Sequence, residues 1–185
     1  MSTSDHGFTL IEVLVTISIV AILATLAVPS FRAFLMNIQI RTATEALNNG
    51  LQLARGEAVR RNANVTFTLN TGSSWTVACE TPVADSNADG IAECPAVIQS
   101  RLSEEGSTLA TVTTTPADAT IVTFNGLGRL TANDDASVSI SQLDIDMPAA
   151  TLATDQSKEL RILINGGSIR MCNPNITTAG DARAC

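Results

Sequence analysis

The chain has 185 residues, 45% of them hydrophobic, which is enough for one folded domain plus a long helical appendage. Eighteen acidic residues against eleven basic ones leave a net charge of -7, so the averaged surface repels phosphate backbones, and nucleic-acid binding would require a local basic patch. There is one histidine, His6, and no P-loop, dinucleotide fingerprint or nucleophile elbow, so the commonest enzyme classes find no support.

Residues 8–28 read FTLIEVLVTISIVAILATLAV, with Glu12 as the only charge. A helix of that length spans the hydrocarbon layer of a membrane. A secretory signal would show a basic start, a shorter apolar stretch and a small-residue cleavage site after it, and this run is too long and begins too abruptly for that. A carboxylate inside it is costly to desolvate without a partner, which marks Glu12 as functional by default.

Gly7-Phe8-Thr9-Leu10-Ile11-Glu12 resembles the class III signal of type IV prepilins. The resemblance implies that a prepilin peptidase cuts between Gly7 and Phe8 and methylates the new amino terminus at Phe8. Residues 1–7 are then a leader, and Glu12 becomes the fifth residue of a mature chain without histidine. It also implies a pairing of Glu12 with the cationic terminus of a neighbouring subunit, offsetting the burial of both charges and fixing axial register. Such leaders carry Lys or Arg, whereas residues 1–6 hold Asp5 and His6 and neither basic residue. The orienting charge is expected either from the amino terminus with His6 or from residues upstream of Met1.

Pro29 ends the apolar run and is expected to disturb the helix locally. Beyond it Phe31, Phe34, Leu35, Ile38, Ala43, Ala46, Leu47, Leu51, Ala54 and Ala58 recur at spacings of mostly three and four, with Arg41, Glu45, Asn48, Gln52, Arg55 and Arg60 between them. Residues 29–62 therefore read as an amphipathic helix that packs its second half on a head domain. The run from Leu51 to Asn62, leading into Val65-Thr66-Phe67, resembles the helix end of the GspH/FimT branch of pilin-like proteins.

From residue 63 the texture changes to short β-branched runs between Gly, Pro, Asn and Asp. Strands are expected at 65–69, 75–79, 96–101, 120–124, 129–131, 138–140, 159–164 and 168–172, with turns at Asn165-Gly166-Gly167 and at Asn125-Gly126 with Gly128. Residues 108–119 and 144–157 are expected as exposed connections. Phe124 to Leu130 also resembles a recurring GspH/FimT segment, although a turn chosen for glycine geometry explains it without function. The fold class is thus α+β and pilin-like: a long N-terminal helix, half membrane or filament core (8–28), packed on an antiparallel sheet or sandwich head (63–185).

The four cysteines fall into two short-range sets, Cys79 with Cys94 and Cys172 with Cys185. Their spacing fits neither a zinc ribbon nor a thioredoxin motif, so disulfides explain them better than metal. Between the first pair, Asp85, Asn87 and Asp89 followed by Gly90 match the opening of an EF-hand loop, but position twelve is Ala96, so weak calcium binding competes with an ordinary solvated loop. No other cofactor is expected. The segment from Met171 to Cys185 resembles the Cys-closed tail of FimT and FimU proteins. In some FimT-like proteins an arginine-rich version of that tail is associated with DNA; here only Arg183, with Arg170 nearby, sits beside Asp181. Glu57, Arg60 and Arg61 read as a solvated helix face or head ion pairs, and Trp75 as core packing.

The resemblance implies a structural subunit and not an enzyme, with other minor pilins, pseudopilins and the major pilin as partners. Its expected role is a minor pilin that primes or caps a type IV pilus, supporting twitching and adhesion. The rivals are a GspH-like pseudopilin of a type II secretion system and a DNA-binding minor pilin for transformation. Its expected location is the inner membrane as a single-pass protein with the head in the periplasm, then a pilus or pseudopilus.

Overall fold

The computed structural model describes residues 8–85, 93–178 and 180–185, apart from the side chain of Leu26. One helix, α1 (Leu10–Arg61), is followed by nine strands: β1 (Val65–Leu69), β2 (Trp75–Cys79), β3 (Gln99–Arg101), β4 (Thr111–Thr115), β5 (Ile121–Phe124), β6 (Leu130–Thr131), β7 (Gln142–Asp146), β8 (Leu160–Asn165) and β9 (Ser168–Cys172). Contacts divide the chain into two compact units, one ending at Leu35 and the other running Met36–Cys185.

In the second unit, the helix buries Ile40, Ala43, Thr44, Leu47, Gly50, Leu51, Ala54 and Ala58, one face at the spacing of an α-helix. Small residues dominate this face, so the sheet can come close. At Gly50 the approach is closest: an added Cβ would lie 2.8 Å from both Phe67 and Trp75, whose rings pack at 6.0 Å. The helix ends in a Schellman motif. Asn62 adopts φ 48°, its N–H reaches the Val59 carbonyl, and the Ala63 N–H reaches the Ala58 carbonyl.

Two antiparallel sheets complete the head, with strand orders β3-β2-β1-β5-β6 and β4-β7-β8-β9. In the first, β1 and β2 pair from Val65↔Cys79 to Leu69↔Trp75, and alternate residues Val65, Phe67, Leu69, Trp75, Val77 and Cys79 turn inward. The second buries Leu143, Ile145, Ile162 and Ile164. Helix side chains also tie down the loops beside it. Asn37 donates to the Gln156 carbonyl and accepts from the Lys158 N–H, and Gln39 accepts from the Leu109 N–H.

Four sequence expectations need correction. Both stretches read as exposed connections contribute strands, β4 within 108–119 and β7 at the start of 144–157. The acids of Gln-Leu-Asp-Ile-Asp suggest a loop, yet Leu143 and Ile145 alternate inward while Gln142, Asp144 and Asp146 face outward. β4 is an edge strand of β-branched Thr and Val, paired with β7 from Thr111↔Asp146 to Thr115↔Gln142, and its polarity hides it. Residues 138–140 make only a single bridge, Ser139↔Ile121. The strand expected at 96–101 shortens to Gln99–Arg101.

The two helix glycines should respond to alanine in opposite directions. Gly50→Ala forces its Cβ into two aromatic rings and should lower head stability by about 1–3 kcal/mol in urea unfolding. Gly56→Ala, whose Cβ meets nothing within 4 Å, should leave stability unchanged or raise it by up to about 1 kcal/mol.

Candidate functional site

The first unit holds the helix start. Thr9 caps it: the Glu12 N–H lies 3.3 Å from Thr9 Oγ1 and 3.1 Å from the Thr9 carbonyl oxygen. Thr9-x-x-Glu12 is the pattern of a capping box. Beyond it the large apolar side chains are exposed all round, Leu10 at 78% and Ile22 at 63% among them. A helix apolar on every side has a lipid or protein environment as its counterpart.

The polar side chains of this segment divide sharply. Thr16 donates to the Val13 carbonyl (2.8 Å), Ser18 to the Leu14 carbonyl (2.8 Å) and Thr25 to the Ile22 carbonyl (2.7 Å). Each hydroxyl is satisfied by its own helix, as an apolar medium requires. The Glu12 carboxylate is different: among the described residues it has no hydrogen-bond or ion-pair partner. Gly7 lies outside the described residues. No single described helix is long and apolar enough to cross a membrane, but Leu10–Thr25 and Ala27–Arg61 together are, by length and composition. Pro29 lies inside α1 and has no N–H to give the carbonyl of residue 25.

The tail of the head forms a closed loop. A disulfide joins Cys172 to Cys185, Asn173 and Ala184 bridge, and the Asn173 N–H donates to the Arg183 carbonyl at 2.7 Å. Asp181 accepts from the Arg183 backbone N–H (2.9 Å), Nε (3.1 Å) and Nη2 (2.8 Å). That arginine holds the Asp181 carboxyl at about 2, well below its usual 3.8, chiefly by side-chain hydrogen bonding. Arg170 donates Nη2 to the Ala184 carbonyl. Both arginines considered for phosphate contact are therefore engaged within the loop. Beside them lies a groove of 290 Å³ lined by Arg41, Leu160, Met171, Ile176 and others.

The second disulfide, Cys79–Cys94, closes the base of the preceding segment, and Arg61 donates Nη1 to the Glu93 carbonyl beside it. Of the calcium candidates Asp85 is half-buried, while Asn87 and Asp89 lie outside the described residues. Among the described residues no three His, Cys, Asp or Glu side chains converge as metal ligands. Glu57 bonds Arg60 (2.6 Å) and Arg61 (2.8 Å), and the Arg60 hydrogen bond leads in holding its carboxyl below the ordinary value. Trp75 is 3% exposed and belongs to the core.

Residues 43–168, more than half of the chain, match the family described as type II transport protein GspH. The chain belongs to the GspH family. Residues 2–28 match the prokaryotic N-terminal methylation motif, so this GspH-family chain is a membrane-anchored, pilin-like structural protein of the minor pilin or pseudopilin kind that associates with others of its class. Comparison with curated protein sequences finds no match. Among solved structures, the type IV minor pilin FimU of Pseudomonas aeruginosa PAO1 is similar in two crystal forms, each at 20% identity. The match covers 75% of this chain and 91% of FimU in one form with a TM-score of 0.45, and 71% and 90% in the other with a TM-score of 0.42.

The Asp181 clamp gives a pH signature. Because its folded value lies below the unfolded one, the contribution is complete above about 3.8 and is lost as pH falls through about 2. The Asp181 carboxyl carbon should titrate by NMR with a midpoint near that lower value, and Arg183→Ala should move it upward; an unmoved midpoint would remove Arg183 as the cause.

Proposed function

We propose that this chain is a minor pilin that helps prime or cap a type IV pilus and does no catalysis. It is cut between Gly7 and Phe8 by a prepilin peptidase, methylated on Phe8, and held in the inner membrane by residues 8–28 with its head in the periplasm until it joins the filament. The observation that carries this reading is Glu12: its carboxylate has no partner among the described residues, while every hydroxyl of the segment is bonded by its own helix. In an apolar filament core the new amine on Phe8 of a neighbouring subunit supplies the missing partner, and an axially displaced subunit leaves both charges unpaired.

The Cys-closed tail favours the pilus over a secretion machine. A pseudopilin of a type II secretion system is the second reading, favoured by the description of the matched family. DNA uptake loses support, because phosphate neutralisation draws on clustered free cations, and Arg183 is neutralised by Asp181 while Arg170 is bonded to Ala184.

Intact-mass and N-terminal analysis of the chain made with its peptidase should give a start at Phe8, one added methyl group and the mass loss of two disulfides; a retained Met1 would overturn the processing step. Glu12→Ala should be cut normally yet largely disappear from sheared filaments, read by immunoblot. Incorporation at the unsubstituted level would rule out the pairing.

A further inference from the structure

The turn at residues 125–129 is more tightly built than a connection requires. The Asn125 N–H donates to the Arg129 carbonyl (2.9 Å), the Gly128 N–H donates to the Asn125 carbonyl (2.7 Å), and Asn125 Oδ1 accepts from the N–H groups of Leu127 (3.0 Å) and Arg129 (3.1 Å). The turn also lies flush on the end of α1. A Cβ at Gly126 would meet Asn62 at 2.6 Å, and one at Gly128 would meet Val59 at 3.1 Å and Arg55 at 3.3 Å. A turn fixed in this way holds Leu127 outward at 78% exposure, next to Val59 at 52%. An apolar side chain pre-ordered in solvent suits an interface anchor, since its ordering cost is already met.

Two further observations converge on the same surface. Gly56 lies on this helix face with nothing within 4 Å of its would-be Cβ, unlike Gly50, whose reason is the rings of Phe67 and Trp75. Glycine inside a helix is unfavourable, and nothing among the described residues of this chain accounts for it here. Arg55 and Arg129 are both exposed, and neither guanidinium makes a hydrogen bond or ion pair among the described residues. Arg41, Arg60, Arg61, Arg101, Arg161 and Arg183 all pair with carboxylates of this chain.

We propose that the shelf formed by Arg55, Gly56, Val59, Leu127 and Arg129 docks another pilin-like subunit through a face that sets carboxylates around an apolar centre. The proposal rests on the reading of the chain as a filament subunit. A two-fold contact of the shelf with itself would set arginine against arginine, so the occupant presents a different, acidic face, and the proposal places that face on another subunit of this class. Leu127 and Val59 supply the desolvated centre, Gly56 lets the partner approach the helix backbone, and the two arginines select carboxylates at the rim.

The test uses the full chain in cells that assemble the filament, with p-benzoylphenylalanine at Leu127 or, in a separate variant, at Val13 in the apolar helix. Irradiation should join position 127 to a different pilin-like subunit, identified by mass spectrometry. Arg55→Glu with Arg129→Glu should lower that adduct about ten-fold or more, while position 13 cross-links as before. Gly56→Gln, which adds a helix-favouring side chain in open space, should block the adduct in the same way and serves as the second variant. Three results overturn the proposal while leaving the filament reading intact: no adduct at 127 with normal cross-linking at 13, an adduct only to a second copy or to nucleic acid, or an adduct insensitive to both substitutions. Loss of cross-linking at both positions in the unsubstituted background overturns the filament reading as well.

Discussion

On the reading proposed above, the chemistry of the apolar helix turns on one carboxylate, that of Glu12. Glu12 sits in a helix whose apolar side chains are exposed on all sides and whose hydroxyls are already bonded to backbone carbonyls. Desolvating a carboxylate without a counter-charge is among the most expensive events in protein folding. An ordinary anchor could avoid it with any apolar residue, and the proposed pairing with a neighbouring subunit's amine gives the acid a purpose. The capping geometry at Thr9 sharpens this point: the backbone N–H of Glu12 is used locally, and its side-chain charge is left over.

The head, by contrast, is self-sufficient. Its helix face of Ala43, Ala46, Ala54 and Ala58 with Gly50 lets Phe67 and Trp75 press on the backbone, and the Schellman end at Asn62 turns the chain directly into β1. Two disulfides fasten the head beyond its strands: Cys79, at the end of β2, to Cys94, and Cys172, at the end of β9, to Cys185. The Asn37 and Gln39 clamps fasten two more loops to the helix. Chemistry that looks functional in the sequence is in several places spent on this fastening. Arg183 and Arg170 close the tail loop, and Arg61 reaches the Glu93 carbonyl beside the first disulfide.

Elements with strong periodicity or distinctive turn chemistry were legible from the residues alone. The three-four spacing of small apolar residues gives α1, the β-branched runs give β1, β2 and β9, and Asn165-Gly166-Gly167 marks the β8–β9 hairpin. β4 and β7 were hidden because Thr and Asp are read as loop formers when their partners are unknown. Once Leu143 and Ile145 face the core, the intervening acids only need solvent. The cysteine pairs were readable from spacing. The fate of the arginines was not, because which cation meets which carboxylate depends on tertiary placement: Arg161 finds Asp144 across β7 and β8, seventeen positions away in sequence, whereas Arg55 finds no carboxylate among the described residues.

The self-bonded hydroxyls of Thr16, Ser18 and Thr25 have a consequence for movement between media. A helix that carries its hydrogen-bond partners along with it presents the same greasy exterior to acyl chains as to packed protein, so exchanging one for the other breaks no polar contact. In the proposed passage from bilayer to filament, the acid is then the polar group most sensitive to the change of surroundings. For the filament subunit proposed above, the choice between lipid and polymer would then rest on one electrostatic bias, that of the acid.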